Sequence, residues 1–468
     1  MSPETISAGT TLELTIHSLA TGGQAIARHD GMVVFVNRGL PGQTVLANII
    51  RTKKRFAEAD LERVLVRNET EIQPFCKHFG LCGGCHWQHL PYEEQLDWKR
   101  RFVEDSIHRI AGSEQITARP TIPSPDRLHY RNKMEFAFLQ GRDVVHLGLR
   151  RSASHSIINI TECHLQSDRT VAIVQQVRAW ANSHKLLNAY DQRSGKGYLR
   201  FLVVRETKQH SMPGNQTLVQ LITTPDWSPT GQRNTMVQEL ADALKRETDG
   251  QTSFVHSTRT SKTQVAYGEN IIFSEGPRTL SETLTIDGQT MPLNIGGADS
   301  FFQTNTRAAE ALYTKALQLA ALTGTETVWD LYCGVGALSL AAAMRAKRLV
   351  GFEISAAAVG TAAENAENLA ITNAVFHAGD VRHTMEREQQ APDVLITDPP
   401  RGGMHPDVVA AIAKLAPSRI VHIACDPATQ ARDIGLLTEH YDISEVQPVD
   451  MFPHTPHVEN IVLLTRRG

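Results

Sequence analysis

The first third of the chain changes its hydrophobic rhythm twice. Between residues 11 and 66, apolar and polar positions alternate in short bursts: TLELTIH, GGQAIAR, MVVFVNR, TVLANII and AEADLERVLV. Alternation of period two is the pattern of a strand with one buried face. Gly22-Gly23, Asp30-Gly31 and Leu40-Pro41-Gly42 punctuate the bursts as turns. Strands this short and closely spaced predict a small β-barrel of the OB-like kind. The segment PYEEQLDWKRRFVEDSIHRIAG (91–112) then switches to helical spacing, with Leu96, Phe102, Val103, Ile107 and Ile110 on one face.

Strand-like runs follow at KMEFAFL, VVHLGLR, YLRFLVVRET, TLVQLITT, SFVHSTRT and TQVAYG, with helical patterns at 168–184 and 234–246. They predict a central α+β domain on a mainly antiparallel sheet. From about residue 300 the chain alternates strand and helix: TVWDLY, RLVGFEI, AVFHAGD, VLITD, RIVHIAC and VENIVLL are the strands. That rhythm predicts a doubly wound, Rossmann-like α/β domain with a mostly parallel sheet. The expected division is 1–67, 68–285 and 286–468.

At 468 residues the chain is too long for a single core. No stretch approaches the ~20 apolar residues that span a bilayer, and the start, MSPETISAGTTLEL, has no basic-then-apolar leader pattern. A cytoplasmic protein is expected, with no membrane association and no obligate protein partner. The net charge of −3 hides an asymmetry: residues 1–200 carry 26 Lys+Arg and 20 Asp+Glu, the remainder 21 and 30. A basic front suits a polyanion, and an acidic body suits a separate catalytic unit.

Three of the six cysteines lie within ten residues, in CKHFGLCGGC. Cys76, Cys82 and Cys85, with Cys163 as the natural fourth, form a thiolate set suited to tetrahedral zinc or an iron–sulfur cluster. In VWDLYCGVGALSL, Gly334 and Gly336 stand between a strand and a helix, where a nucleotide approaches the backbone. Glu353 ends the next strand, placed to grip ribose hydroxyls. NAD and S-adenosylmethionine both use this layout. VLITDPPRGG (394–403) favours the second, because Asp-Pro-Pro after a strand resembles the active-site loop of nucleobase methyltransferases. Arg401 stands where enzymes acting on exocyclic amines carry an aromatic ring, which points to a ring carbon. Methylating uracil C5 calls for a thiolate that adds to C6 and a base that removes the C5 proton. Cys425, closing the strand RIVHIAC, and Glu459, opening VENIVLL, meet those needs.

On these motifs the chain resembles the RNA 5-methyluridine (uracil-C5) methyltransferases. The likeness is to their iron–sulfur members with an N-terminal TRAM barrel, and above all to those acting on 23S ribosomal RNA. The resemblance favours a 4Fe–4S cluster over zinc, held by Cys76, Cys82, Cys85 and Cys163. It implies S-adenosylmethionine contacts at Gln303 in FFQTN, Tyr332, Glu353, Asp380 and Asp398, with Cys425 as nucleophile and Glu459 as base. HYRNKMEF (129–136) resembles the family's segment near the target. The expected partner is RNA, large-subunit ribosomal RNA by preference. The alternatives are the same chemistry on transfer RNA and a non-catalytic RNA-binding protein.

Overall fold

A computed structural model describes residues 6–152, 154, 156–208, 216–226, 231–247 and 252–468. Strands β1 (Thr11–Leu19), β2 (Ala25–His29), β3 (Met32–Asn37), β4 (Thr44–Thr52) and β5 (Phe56–Val66) close into a barrel in the order β1-β2-β3-β5-β4. Pairing of β1 with β4 completes the circle. Its inward positions are mostly small or β-branched, with Ala25, Ala27, Ala47, Ala57 and Ala59 fully buried beside Val34, Val36 and Val45. Small side chains are what a five-stranded interior has room for.

Helix α1 (Tyr92–Arg109) joins the barrel to the rest. Its Phe102 packs into the barrel core with Trp87 and Leu90, while Val103 and Ile107 enter the core of the C-terminal sheet. The sequence assigned this helix a continuous apolar face. In the structure Ile110 is exposed, and a charged residue, Lys99, is fully buried among the apolar ones.

The central sheet has the order β12-β11-β10-β9-β6-β7-β8. Its strands are β6 (Lys133–Gln140), β7 (Val145–Arg150), β8 (Ile157–Asn159), β9 (Leu199–Glu206), β10 (Thr217–Thr223), β11 (Thr252–Thr258) and β12 (Asn270–Glu275), and only the β10–β11 pair is parallel. Helices α2 (Asp168–Ser183) and α3 (Gln232–Glu247) cover one face. TQVAYG, expected as a strand, is a loop. The buried Arg200 guanidinium draws the carbonyls of Arg259, Ser261 and Thr263 onto itself at 2.7–3.0 Å, which takes this stretch out of any ladder. The strand forms instead at β12, and an unanticipated hairpin follows: β13 (Ser281–Ile286) and β14 (Gln289–Asn294), turning at Asp287-Gly288.

The C-terminal sheet runs β17-β16-β15-β18-β19-β21-β20. Parallel strands β15 (Thr327–Leu331), β16 (Arg348–Glu353), β17 (Ala374–Ala378), β18 (Val394–Thr397) and β19 (Arg419–Ala424) are followed by antiparallel β20 (Tyr441–Val449) and β21 (Glu459–Arg466). Helices α4 (Thr306–Ala320), α5 (Ala337–Ala343) and α6 (Ala356–Asn368) pack against one face; α8 (Pro406–Leu415) and α9 (Pro427–Gly435), with α1, cover the other. Short α7 (Val381–Thr384) follows β17. Strand β20 escaped the sequence reading because YDISEVQPV is largely polar and carries Pro448, a residue tolerated only near a sheet's edge. Strand order reverses between β15 and β18, so a crevice opens at their carboxyl ends. No described helix is long and apolar enough to cross a membrane.

Candidate active site

The crevice is built from the ends of four adjacent strands. After β15 the backbone turns through Tyr332 (φ 68°), Gly334 (φ 55°) and Gly336 (φ 86°), which caps α5. A side chain at Gly334 would meet nothing within 4 Å, so this turn leaves open space for a ligand. Glu353, at the end of β16, accepts from the Gly334 amide (3.1 Å) and from Ser355 (2.8 Å). It ties the glycine turn to the neighbouring strand. Asp380 caps α7 and its carboxylate is held by Arg382, which keeps it well below the usual aspartate range. Cys333 is packed under the turn, its sulfur against Gly351.

The reactive groups stand beside this turn. Asp398 follows β18, and burial raises its carboxyl to about 6 despite a hydrogen bond from Gln303. Glu459 opens β21, only 3% exposed, with Oε2 buried and without a hydrogen-bond partner. Burial and the Asp398 charge push its carboxyl well above the ordinary glutamate range, while Arg401 pulls the other way. Cys425 follows β19. Burial raises its thiol to about 11, Glu459 and Asp398 add to that, and Arg401 opposes them by charge and by hydrogen bond. Cys425 and Glu459 thus share one cation. Arg401, read from sequence only as a clue to the acceptor atom, is the group that favours the ionised form of both Cys425 and Glu459. Its place directly after Asp398-Pro-Pro was the available signal.

The surrounding polar contacts fix these groups. Arg401 donates to His457 Nδ1 (3.2 Å), and its carbonyl accepts from Thr429 Oγ1 (3.2 Å). Asp426 caps α9 by accepting from the amides of Ala428 and Thr429, which sets the turn that presents Cys425. Asn460 donates to Gln430 (2.7 Å), anchoring the start of β21 to α9. Gln303 is placed by Asn132, whose side chain donates to the Gln303 carbonyl (2.8 Å) and to Thr306 (2.9 Å). Asn132 belongs to HYRNK, so that segment is zipped to FFQTN. Neither Asn132 nor His457 was singled out from sequence.

The four remaining site cysteines are elsewhere. Cys76, Cys82, Cys85 and Cys163 line one cavity under β7, and all are free thiols. Burial raises each of them, Cys85 to about 12; Cys76, Cys82 and Cys85 each feel the charge of Cys163, while hydrogen bonds and Arg131 oppose the rise at Cys163. Among the described residues no group of three His, Cys, Asp or Glu side chains already stands in position to hold a single metal ion. The cavity is tied to the segment leading into β21: the amides of His86 and Trp87 both donate to the carbonyl of His454, five residues before Glu459.

Comparison with known proteins gives this geometry a context. Residues 236–467 match the family model described as tRNA (Uracil-5-)-methyltransferase, and residues 7–61 match the TRAM domain. An uncharacterized RNA methyltransferase of Nitratidesulfovibrio vulgaris is 45% identical over 99% of this chain and 98% of its own length. One from Bacteroides thetaiotaomicron is 35% identical over 96% of this chain and the whole of its own. Among solved structures, the Pyrococcus abyssi tRNA (uracil-54, C5)-methyltransferase in complex with S-adenosyl-L-homocysteine superposes with a TM-score of 0.76 at 27% identity, covering 97% of this chain and 99% of that one. The chain belongs to the RNA (uracil-5-)-methyltransferase family and carries an N-terminal TRAM domain.

Proposed function

We propose that the chain transfers a methyl group from S-adenosylmethionine to C5 of a uridine in RNA through a covalent adduct on Cys425. The observation that carries this is the meeting of Cys425, Glu459, Asp398 and Arg401 beside the glycine turn. S-adenosylmethionine supplies an electrophilic methyl group, and Gln303, Tyr332, Glu353, Asp380 and Asp398 are the residues proposed to hold it. The Cys425 thiolate, favoured by Arg401, adds to uracil C6, and the electron pair of the C5–C6 bond moves toward C5 and O4. C5 then takes the methyl group. Glu459 removes the C5 proton, the C5–C6 double bond re-forms, and the thiolate leaves. Adduct formation consumes the thiolate charge, so one negative neighbour of Glu459 is gone when its own ionisation is needed.

For the four cysteines we propose a closed, structural 4Fe–4S cluster; thiolates are soft donors that suit iron–sulfur centres, and all four thiols border one cavity. The proposed division is a barrel to residue 67, a cluster-bearing central domain to 285, and the methyltransferase domain beyond. The proposed substrate is large-subunit ribosomal RNA. Transfer RNA is the second reading, favoured by the name of the Pyrococcus abyssi relative. The experiment gives the protein methyl-labelled S-adenosylmethionine with unmodified ribosomal and transfer RNA, then identifies the labelled nucleoside in each. 5-Methyluridine in large ribosomal RNA is expected. Label only in transfer RNA overturns the substrate, and label in any other nucleoside overturns the mechanism.

A further inference from the structure

We infer that a second nucleotide subsite adjoins the uridine site, built to take one unstacked neighbour of the target with its phosphate on arginines and its base on Phe301. The inference rests on the proposed reaction for its setting. It does not rest on it for its chemistry. A cavity of about 730 Å³ lies between β6, the Gly83–Gly84 turn and residues 300–304, within the ~300–1,000 Å³ of small-molecule sites. Arg131, Lys133, Arg150 and Arg151 line it, against a single acid, Glu135, which Lys133 contacts at 3.2 Å. Arg131, Arg150 and Arg151 form no ion pair among the described residues. Arg131 Nε is buried without a hydrogen-bond partner, a cost that a bound anion removes.

The aromatic wall is as specific. Of two consecutive phenylalanines, Phe302 is 4% exposed and anchors in the core, while Phe301 is 72% exposed at the cavity. A phenyl ring held that far into water by a buried neighbour is a stacking platform, and any base offers it a π-face. Guanidiniums suit phosphate oxygens. The cavity is next to the catalytic groups: its lining residues Arg131 and His86 both act on the His457 imidazole, which Arg401 contacts, and Phe301 lies two residues from Gln303. It also backs onto the four-cysteine cavity, since Gly84, Arg131, Met134 and Leu149 line both. An exposed aromatic ring and several cations lining one cavity fit a nucleotide better than an apolar ligand or an acidic peptide.

The test is a coupling experiment. Single-stranded decauridylate with a central 5-fluorouridine is the probe, and a series carries one abasic site stepped through the flanking positions. Affinity is read by fluorescence anisotropy for the wild type and Phe301→Ala, with circular dichroism to check that the variant is folded. At one flanking position the abasic site is expected to weaken wild-type binding about 5- to 150-fold and to weaken Phe301→Ala hardly further. Arg150→Ala/Arg151→Ala should lower the slope of log affinity against log salt by about 0.7 for each phosphate that the variant no longer neutralises. Additive effects at every position overturn the subsite, as does failure of the wild type to bind the probe at low salt. Covalent trapping of the 5-fluorouridine in the presence of S-adenosylmethionine reads the reaction separately. Trapping without coupling sinks the subsite alone, and coupling without trapping sinks the Cys425 mechanism alone.

Discussion

Lys99 of α1 and Asp450, just before the turn that leads to Glu459, form an ion pair at 2.5 Å with both side chains fully buried. Lys99 also donates to the Phe452 carbonyl (3.0 Å), and Tyr92 donates to the other Asp450 oxygen (2.7 Å). Lys99→Met keeps the volume and removes the charge. The carboxylate then keeps only Tyr92 and the Phe452 amide (3.0 Å) as donors. Breaking one side of a buried pair costs about 3–5 kcal/mol, and the two surviving donors set the expectation near 3 kcal/mol, at the low end of that range. Adding Asp450→Asn removes the orphaned charge, so the double variant should regain at least half of the loss. The assay is urea denaturation of wild type, both single variants and the double variant at pH 7. A penalty below about 1 kcal/mol, where exposed pairs fall, refutes the reasoning.

Other outcomes are open to direct measurement. Cys425→Ala should abolish methylation with RNA binding retained, and Glu459→Gln should accumulate a covalent protein–RNA species visible on a denaturing gel; normal turnover by Glu459→Gln removes it as the base. Because the Cys425 thiol is raised to about 11, its thiolate fraction rises tenfold per unit below that value, so kcat/KM should climb with pH from 7 to 9 rather than peak near neutrality. Arg401→Gln removes the cation that opposes this shift, and should lower kcat/KM at pH 7.5 while slowing iodoacetamide labelling of Cys425; equal labelling rates would mean that Arg401 leaves the thiol alone. Cys163→Ser should remove the near-ultraviolet and visible absorption of the proposed cluster and lower the melting temperature of the protein. A variant that keeps both argues against the proposed ligand set.

Local pattern carried much of this molecule and failed where the decisive contact is distant. The barrel was readable because each strand has one dry and one wet face, and α2 because Ser167 caps it and its buried residues recur at helical spacing. Three of the parallel strands were readable as apolar runs closed by Glu353, Asp398 and Cys425. By contrast, Lys99 looks like one more solvated cation in WKRR, and only Asp450, 351 positions away, makes it a core residue. TQVAYG has the composition of a strand, but Arg200 competes for the backbone acceptors around it. Arg401 was legible as a residue and not as a role, because its effect on Cys425 and Glu459 needs three strand ends to meet.

That meeting depends on one short piece of chain. Residues 450–458 connect β20 to Glu459, and distant segments supply much of their hold. Lys99 and Tyr92 bind Asp450, Tyr130 donates to the Pro453 carbonyl (3.2 Å), and Gln95 accepts from the His454 amide (2.9 Å). His86 and Trp87, directly after Cys85, take the His454 carbonyl. Arg401 then meets His457 at its far end. A buried, unpaired Glu459 has no hydrogen bond of its own to fix Oε2, so its position is inherited from this strap and from the β21 ladder. The four-cysteine segment and α1 therefore help to position Glu459, the proposed base. This gives a physical reason for the C-terminal sheet to keep a cysteine-bearing loop against its last strand.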